Sequence, residues 1–112
     1  VSARKDVAYA RERAVSILRY ISENYAEHIT LNSIAFHTGL NPQYFSVFFK
    51  KYFHANFSDY RNRYRVAQSL HALKNTDESI LSIAIANGFN NHKTYSAAFQ
   101  KSYDMMPRDA DS

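Results

Sequence analysis

Residues 34–42, which read Ile-Ala-Phe-His-Thr-Gly-Leu-Asn-Pro, decide the fold of this chain. Thr30, shortly before them, is a good helix N-cap, and Asn41 is another, with a proline after it at the favoured first helical position. Gly39 between the two caps accepts the left-handed backbone at which many helices end. The stretch therefore predicts a helix over 31–38, a tight turn at Gly39, and a second helix that begins at residue 42 and continues to about residue 52.

The same pattern occurs a second time further along the chain. The matching pairs are Ile34-Ala35 with Ile83-Ala84, Gly39-Leu40 with Gly88-Phe89, and Phe45-Ser46 with Tyr95-Ser96. The last pair is offset by one residue more than the others, so the second turn is one residue longer. The chain has only two glycines, and they are the equivalent turn residues of the two copies. We conclude that the chain contains the same helix-turn-helix unit twice.

The composition agrees with an all-helical chain. Its 112 residues include two glycines, two prolines and no cysteine, and 46% of them are hydrophobic. So few turn-forming residues leave little room for a β-sandwich or barrel, and so much apolar sequence argues against disorder. Without cysteine there is no disulfide framework, no cysteine zinc site and no thiol nucleophile. We expect an all-α domain of six to seven helices, with no apolar run long enough to cross a membrane.

Hydrophobic spacing predicts the remaining helices. A first helix is expected at about 8–25, with an apolar face of Val7, Ala10, Ala14, Leu18, Ile21 and Tyr25. Asn56 is expected to cap a long fourth helix over 57–74, with an apolar face of Phe57, Tyr60, Tyr64, Ala67, Leu70 and Leu73. Ser79 caps the fifth helix, and the sixth follows Asn90-Asn91. The resulting organisation is a first helix-turn-helix subdomain at 8–55, a linker helix at 56–75 and a second subdomain at 76–112, with a short last helix after Pro107.

The distribution of charge singles out the two repeated units. The chain carries a formal net charge of +4, yet no aspartate or glutamate falls within 31–53 or 80–103. Lysines lie in both of these stretches, at Lys50, Lys51, Lys93 and Lys101. Because the basic, acid-free segments coincide with the helix-turn-helix units, we expect these units to face a polyanion.

Two such units joined by one long helix resemble the DNA-binding domain of the AraC/XylS family of bacterial transcription regulators. The resemblance covers about residues 14–107. Its residues are Ile34-Ala35-x3-Gly39-Leu40-x4-Phe45-Ser46-x2-Phe49-Lys50-Lys51, Phe57-Ser58-Asp59-Tyr60-x4-Arg65, Ile80-x2-Ile83-Ala84-x3-Gly88-Phe89-x5-Tyr95-Ser96-x2-Phe99-x-Lys101 and Pro107. The family likeness implies sequence-specific binding of double-stranded promoter or operator DNA in the bacterial cytoplasm. It also implies RNA polymerase as a partner and a separate effector or dimerisation domain in a longer regulator.

The candidate DNA-contacting residues lie mainly on the second helix of each unit. Helical spacing leaves Gln43, Ser46, Val47 and Lys50 exposed on the first such helix, opposite a buried face of Phe45, Phe48, Phe49 and Tyr52. On the second such helix the residues expected to meet bases are His92, Lys93, Ser96, Ala97 and Gln100. Phosphate contacts are expected from Lys51, Arg61, Arg63 and Lys101. Arg65 is expected to have a packing or ion-pair role within the linker helix.

The spacing of the units suits two successive grooves of one duplex. A linker helix over 57–74 is about 27 Å long at 1.5 Å per residue. Successive major-groove faces lie about 34 Å apart, so the linker and the widths of its flanking units can hold two recognition helices one turn apart. One domain is then expected to bind an asymmetric site of about 15–20 bp.

The sequence departs from the family pattern at five positions. Relatives usually have glycine where this chain has His54 and Asp104, and they often have arginine where it has Val47 and Ala97. Gln100 stands where a second phosphate-binding lysine is usual. Readout of guanine by arginine is therefore not expected at Val47 and Ala97.

Two other function classes compete with DNA binding. An enzyme is disfavoured because the five histidines form no HxxxH or HExxH pattern and no glycine-rich phosphate loop is present. We accordingly expect no catalytic residue, no metal site and no cofactor. A helix-turn-helix module that binds another protein remains open, since Val47 and Ala97 replace polar readers with apolar side chains. The salt dependence of duplex binding separates the two interpretations.

Overall fold

The structure is a computed structural model that describes residues 3–111. All regular secondary structure in these residues is helical. The elements are α1 (Ala3–Asn24), α2 (Leu31–His37), α3 (Pro42–Phe53), α4 (Phe57–Asn75), α5 (Ile80–Ala86), α6 (His92–Tyr103) and a 3-10 helix (Pro107–Asp111). This order confirms the all-α fold with two helix-turn-helix units, α2–α3 and α5–α6. The last helix expected after Pro107 is the 3-10 helix.

The predicted N-caps form their hydrogen bonds. The Thr30 side chain accepts from the Ser33 N–H at 3.1 Å, and the Ser33 hydroxyl accepts from the Thr30 N–H at 2.9 Å. The caps of the other helices bond in the same way: Asn41 accepts from Gln43, Asn56 from Asp59, Ser79 from Ser82 and Asn91 from Thr94. These bonds satisfy N–H groups that have no partner within the first helical turn, which is why the helices begin at these residues.

The two turns share one hydrogen-bonding pattern. Gly39 and Gly88 have positive φ angles of 73° and 99°. After the first glycine, the Leu40 N–H donates to the Ala35 carbonyl at 2.8 Å, and after the second the Phe89 N–H donates to the Ala84 carbonyl at 2.9 Å. The repeat seen in the sequence therefore extends to the backbone bonds that end α2 and α5.

The chain divides into two compact units. The first comprises residues 3–24 and 29–59, and its centre is aromatic. Phe45 stacks on Phe49 with ring centroids 5.6 Å apart, and the edge of Phe57 meets both rings at 5.9 and 5.8 Å. The other fully buried apolar side chains of this unit are Ile17, Ile21, Ile34 and Ala35. The second helix of the first helix-turn-helix unit is thus anchored by its phenylalanines.

The second unit comprises residues 25–28 and 60–111, and its core contains one polar pair. The hydroxyl groups of Tyr95 and Ser69 lie 2.7 Å apart, and the Ser69 hydroxyl also lies 2.6 Å from the Val66 carbonyl, to which it can donate. Burial raises the pKa of the Tyr95 hydroxyl. The surrounding apolar core consists of Val66, Leu73, Ile83, Ala84, Phe89, Tyr95 and Phe99. Tyr95 therefore fixes α6 against α4 by both packing and hydrogen bonding.

The predicted apolar face of the first helix is wrong in part. α1 begins at Ala3, and its buried residues are Ile17 and Ile21, whereas Val7 and Leu18 are exposed. Two apolar stripes run side by side along α1, and spacing alone does not show which of them packs inward. Tyr25, expected to end this face, lies one residue beyond the helix.

Two further side chains differ from their predicted burial. Ala67 of α4 is exposed, whereas Val66 and Ser69 of the same helix are fully buried. Tyr52 of α3 was expected on the buried face but is 43% exposed. Val66 of α4 and Phe49 of α3 are fully buried in the cores of their compact units. Ala67 and Tyr52 therefore remain on the exposed sides of the same helices.

The two helices that are expected to meet DNA both end in a strained residue. His54 and Asp104 cap α3 and α6 at φ 60° and 57°, a conformation that costs a non-glycine residue about 1–2 kcal/mol. We expect His54→Gly to stabilise the protein by about 0.5–1 kcal/mol, because the relief of strain outweighs the extra chain entropy of glycine. Thermal unfolding followed by circular dichroism measures the gain. His71→Gly within α4 is the control, and it should lower the midpoint; equal losses for both variants would contradict the prediction.

Candidate nucleic-acid interface

One face of α3 is exposed along its whole length. Gln43, Ser46, Val47 and Lys50 lie together on this side, which we name the α3 face, and Val47 is 67% exposed. The other side of the helix holds the buried residues Phe45, Phe48 and Phe49. No acidic residue lies in α3. The α3 face is therefore a mixed surface of amide, hydroxyl, methyl and ammonium groups, which are the groups that read base edges.

The corresponding face of α6 is smaller than the sequence predicts. His92, Lys93, Ala97 and Gln100 are exposed, and we name them the α6 face. The exposure predicted for Ser96 is wrong, because this side chain is only 6% exposed and its hydroxyl lies 3.4 Å from Nδ1 of His92. Ile80 and the segment Met106–Arg108 line the same cleft as Ser96. Ser96 is therefore enclosed in this cleft and does not lie on the exposed side of α6.

The candidate phosphate-binding residues differ in their availability. Lys51, Arg63 and Lys101 are exposed, and Lys51 places its ammonium 5.4 Å from the ring centroid of Tyr52. Arg61 is half-buried, burial lowers its pKa, and its Nε donates to Oδ1 of Asn62 at 3.3 Å. Three of the four side chains are thus open to solvent, while Arg61 is held against the protein.

Arg65 has the packing role expected from the sequence. Its guanidinium is buried and donates to the carbonyl oxygens of Tyr25 at 2.6 Å and Glu27 at 2.7 Å. The same group lies 5.9 Å from the ring centroid of Phe89. Burial, and then the neighbouring charge of Arg61, lower the pKa of Arg65 to about 10. Arg65 therefore remains charged at neutral pH and ties α4 to residues 25–28.

A groove between α1 and α3 was not predicted. It has a volume of about 500 Å³ and is lined by Asp6, Tyr9, Ala10, Arg13, Tyr44, Val47, Phe48, Lys51 and Tyr52. Within it, Nη1 of Arg13 donates to the Tyr44 hydroxyl at 2.8 Å. The spacing of Asp6, Tyr9 and Arg13 puts them on one side of a helix, but the sequence does not show that this side meets α3. We name this feature the α1–α3 groove.

The described residues were also compared with the requirements of a metal site and of a membrane span. Within residues 3–111, no three His, Asp or Glu side chains come close enough together to hold a metal ion. Among the helices described, none has the length and hydropathy that a membrane span requires. The α3 face, the α6 face and the α1–α3 groove are the candidate binding surfaces of the described residues.

The sequence comparisons point to a family of regulators. A family described as a helix-turn-helix domain matches residues 34–111. Regulatory protein PocR of Salmonella typhimurium is 35% identical over 91 residues, which are 81% of this chain and 30% of PocR. The melibiose operon regulatory protein of Escherichia coli is 32% identical over 92 residues, which are 82% of this chain and 30% of that protein. The chain thus spans less than a third of the length of these relatives.

Solved structures share the fold. The C-terminal domain of the two-component response regulator yesN from Fusobacterium nucleatum has a TM-score of 0.82 at 27% identity, covering 88% of this chain and 97% of that domain. The DNA-binding domain of AdpA, a global transcriptional factor solved with a target DNA, has a TM-score of 0.77 at 17% identity. The match covers 83% of this chain and 84% of that one, and at this identity it establishes the fold alone.

Proposed function

Since the chain belongs to the AraC/XylS family of helix-turn-helix transcription regulators, we propose that it binds double-stranded DNA sequence-specifically through α3 and α6. One observation carries this proposal. Each of the two helices is free of acidic residues and has an exposed face opposite a buried aromatic one. Such a helix can approach a phosphate backbone without like-charge repulsion while its anchored side keeps it rigid. We propose a regulator without catalytic activity.

The α3 face provides the most specific contacts. Gln43 can form a bidentate pair with adenine N6 and N7, and Val47 can pack on a thymine methyl group. Ser46 and Lys50 complete the base contacts of this helix. On the α6 face we assign base contacts to His92, Lys93, Ala97 and Gln100, and we omit Ser96 because it is buried. Lys51, Arg63 and Lys101 bind phosphates, with Arg61 in a supporting position.

The two helix-turn-helix units each contact bases of one duplex. We assign a first subdomain to residues 8–55, a linker helix to residues 56–75 and a second subdomain to residues 76–112. Each subdomain presents its own recognition helix to one of two successive major grooves, which gives a site of about 15–20 bp. The likeness to the AdpA domain solved with DNA supports this assignment at the level of the fold.

The relatives suggest the setting in which the chain acts. PocR and the melibiose operon regulatory protein are named as regulators, and each is more than three times as long as its matched part. We propose that the chain is the DNA-binding part of a longer bacterial regulator that also contains an effector or dimerisation domain. Such a regulator acts on promoter DNA in the cytoplasm and contacts RNA polymerase there.

A second candidate function rests on the exposed apolar residues. Val47 is 67% exposed in the centre of the α3 face, and Ala97 is exposed at the equivalent place in α6. Apolar side chains at these places also suit a helix-turn-helix module that binds another protein. Binding of duplex DNA that weakens steeply with salt favours the first function, because counterion release is specific to a polyanion partner.

Selection of binding sites from a pool of random duplexes tests the proposal. Lys51→Ala should weaken binding to the selected duplex and to other duplexes by the same factor. It should also make the fall of log affinity with log salt less steep by about 1. Gln43→Ala should instead lose about 1–3 kcal/mol of preference at one base pair. Lys74→Ala removes the same charge from the last turn of α4 and is the control for Lys51. If the wild-type protein selects no sequence and binds no duplex at low salt, the proposal is wrong.

A further inference from the structure

The α1 side of the α1–α3 groove lies outside the part of the chain that the family match describes, whereas its α3 side lies within it. The match begins at residue 34, whereas α1 spans Ala3–Asn24. The first three turns of α1 line the groove with Asp6, Tyr9 and Arg13. A role for this part of α1 therefore has to be argued from its own contacts.

Arg13 is held in a defined position within the groove. Its guanidinium lies 5.4 Å from the ring centroid of Tyr44 and 5.7 Å from that of Phe48. The hydrogen bond to the Tyr44 hydroxyl uses one of its five N–H donors. These contacts with α3 already restrict the conformations of the Arg13 side chain. Binding of an anion by Arg13 therefore costs less side-chain conformational entropy.

The position of the groove relates Arg13 to the α3 face. Val47 belongs to that face and also lines the groove, and Lys51 lies beside it one turn further along α3. Arg13 therefore flanks the exposed side of α3 on the same edge as Lys51. When a helix lies in the major groove, its flanks meet the phosphates of the strands that border the groove.

We propose that Arg13 is a phosphate-binding residue, and that α1 and α3 together bind the phosphates of one DNA strand at the edge of the major groove. The proposal rests on the DNA binding proposed above and extends it to α1. A planar guanidinium that lines the same groove as Lys51 can match two oxygens of one phosphate, and the rings of Tyr44 and Phe48 hold it in place. Asp6 is the one acidic residue among those that line the groove, and it opposes the bound strand.

Fluorescence anisotropy with the selected duplex and a scrambled duplex tests this role. Arg13→Gln should weaken binding to both duplexes about 5- to 10-fold. It should also make the fall of log affinity with log salt less steep by about 1. Arg11→Gln is the matched control, because Arg11 is exposed on α1 but does not line the groove. It should change affinity less than about 2-fold, as expected for a charge that is screened by salt. Equal losses for the two variants would overturn the role of Arg13.

Three further variants separate charge from structure. Arg13→Lys keeps the charge and should keep the salt slope of the wild type, even if the folded protein is less stable. Asp6→Asn should strengthen binding to both duplexes, whereas Tyr44→Phe should weaken it less than Arg13→Gln because the ring under the guanidinium remains. A loss of salt slope in Arg13→Lys, or unchanged binding by Arg13→Gln, would exclude a phosphate contact. A wild-type protein that binds no duplex contradicts the proposed function itself, which is a distinguishable result.

Discussion

Gly88→Ala is expected to destabilise the protein by about 3 kcal/mol, whereas Gly39→Ala is expected to cost only about 1 kcal/mol. Both glycines occupy the same place in their units and both have a positive φ, so both alanines are strained by the backbone. At Gly88, however, a Cβ would lie 2.6 Å from Nε of Arg65 and 2.9 Å from the carbonyl oxygen of Tyr25. At Gly39 a Cβ meets no atom within 4 Å.

The steric conflict at Gly88 has no easy relief. The carbonyl of Tyr25 is backbone, and Arg65 is hydrogen-bonded to it, so neither group can move without breaking the contact. Urea unfolding of the two alanine variants measures the difference, with Gly39→Ala as the matched control for backbone strain. Equal unfolding midpoints would contradict the prediction, because they would mean that a Cβ at residue 88 is accommodated without a steric cost.

Arg65→Met is expected to cost about 3 kcal/mol of stability. Methionine replaces the apolar stem of the arginine, but it leaves the carbonyl oxygens of Tyr25 and Glu27 without the donors that Arg65 provides. Loss of the cation over the Phe89 ring adds to the effect. Lysine restores the charge but not the fork of donors, so Arg65→Lys should lie between the wild type and Arg65→Met.

Arg63→Met is the control, because Arg63 is exposed two residues away on the same helix. It should change the free energy of unfolding by less than about 0.5 kcal/mol.

The pKa of Arg65 determines how the effect of Arg65→Met depends on pH. Burial lowers this pKa to about 10, so the charged form is penalised in the folded state at every pH below that value, and the penalty fades only as the pH rises above it. A difference between Arg65→Met and wild type that varies between pH 6 and pH 8 would contradict this account.

The starts of α2 to α6 could be predicted because they depend on local chemistry, whereas α1, which has no predicted cap, begins at Ala3 and not near residue 8. Thr30, Asn41 and Ser79 cap their helices through bonds to residues two or three positions later, so the sequence itself contains both partners. The glycine turns are equally local. By contrast, the burial of Ile17 instead of Leu18 depends on which stripe of α1 meets the rest of its unit, and that is a tertiary choice.

The candidate site shows the same division. The exposure of Gln43, Val47 and Lys50 follows from helical spacing and the row of phenylalanines on the other side of α3. The burial of Ser96 was not predicted from helical spacing, and this serine shares a cleft with residues 106–108, which lie ten or more positions away in the sequence. The contact of Arg13 with Tyr44 could not be predicted for a similar reason, because the two residues are 31 positions apart in the sequence.

The hydrogen bonds of Arg65 also bear on how the protein folds. α2 with α3 and α5 with α6 are helical hairpins whose contacts join residues close together in sequence, and such contacts form early and fast. The bonds from Arg65 to Tyr25 and Glu27 instead close loops of 40 and 38 residues, which carry a larger entropic cost. We therefore expect these bonds to form late in folding. Weakening them should mainly hasten unfolding and leave the folding rate nearly unchanged, so that Arg65 contributes to the lifetime of the folded state.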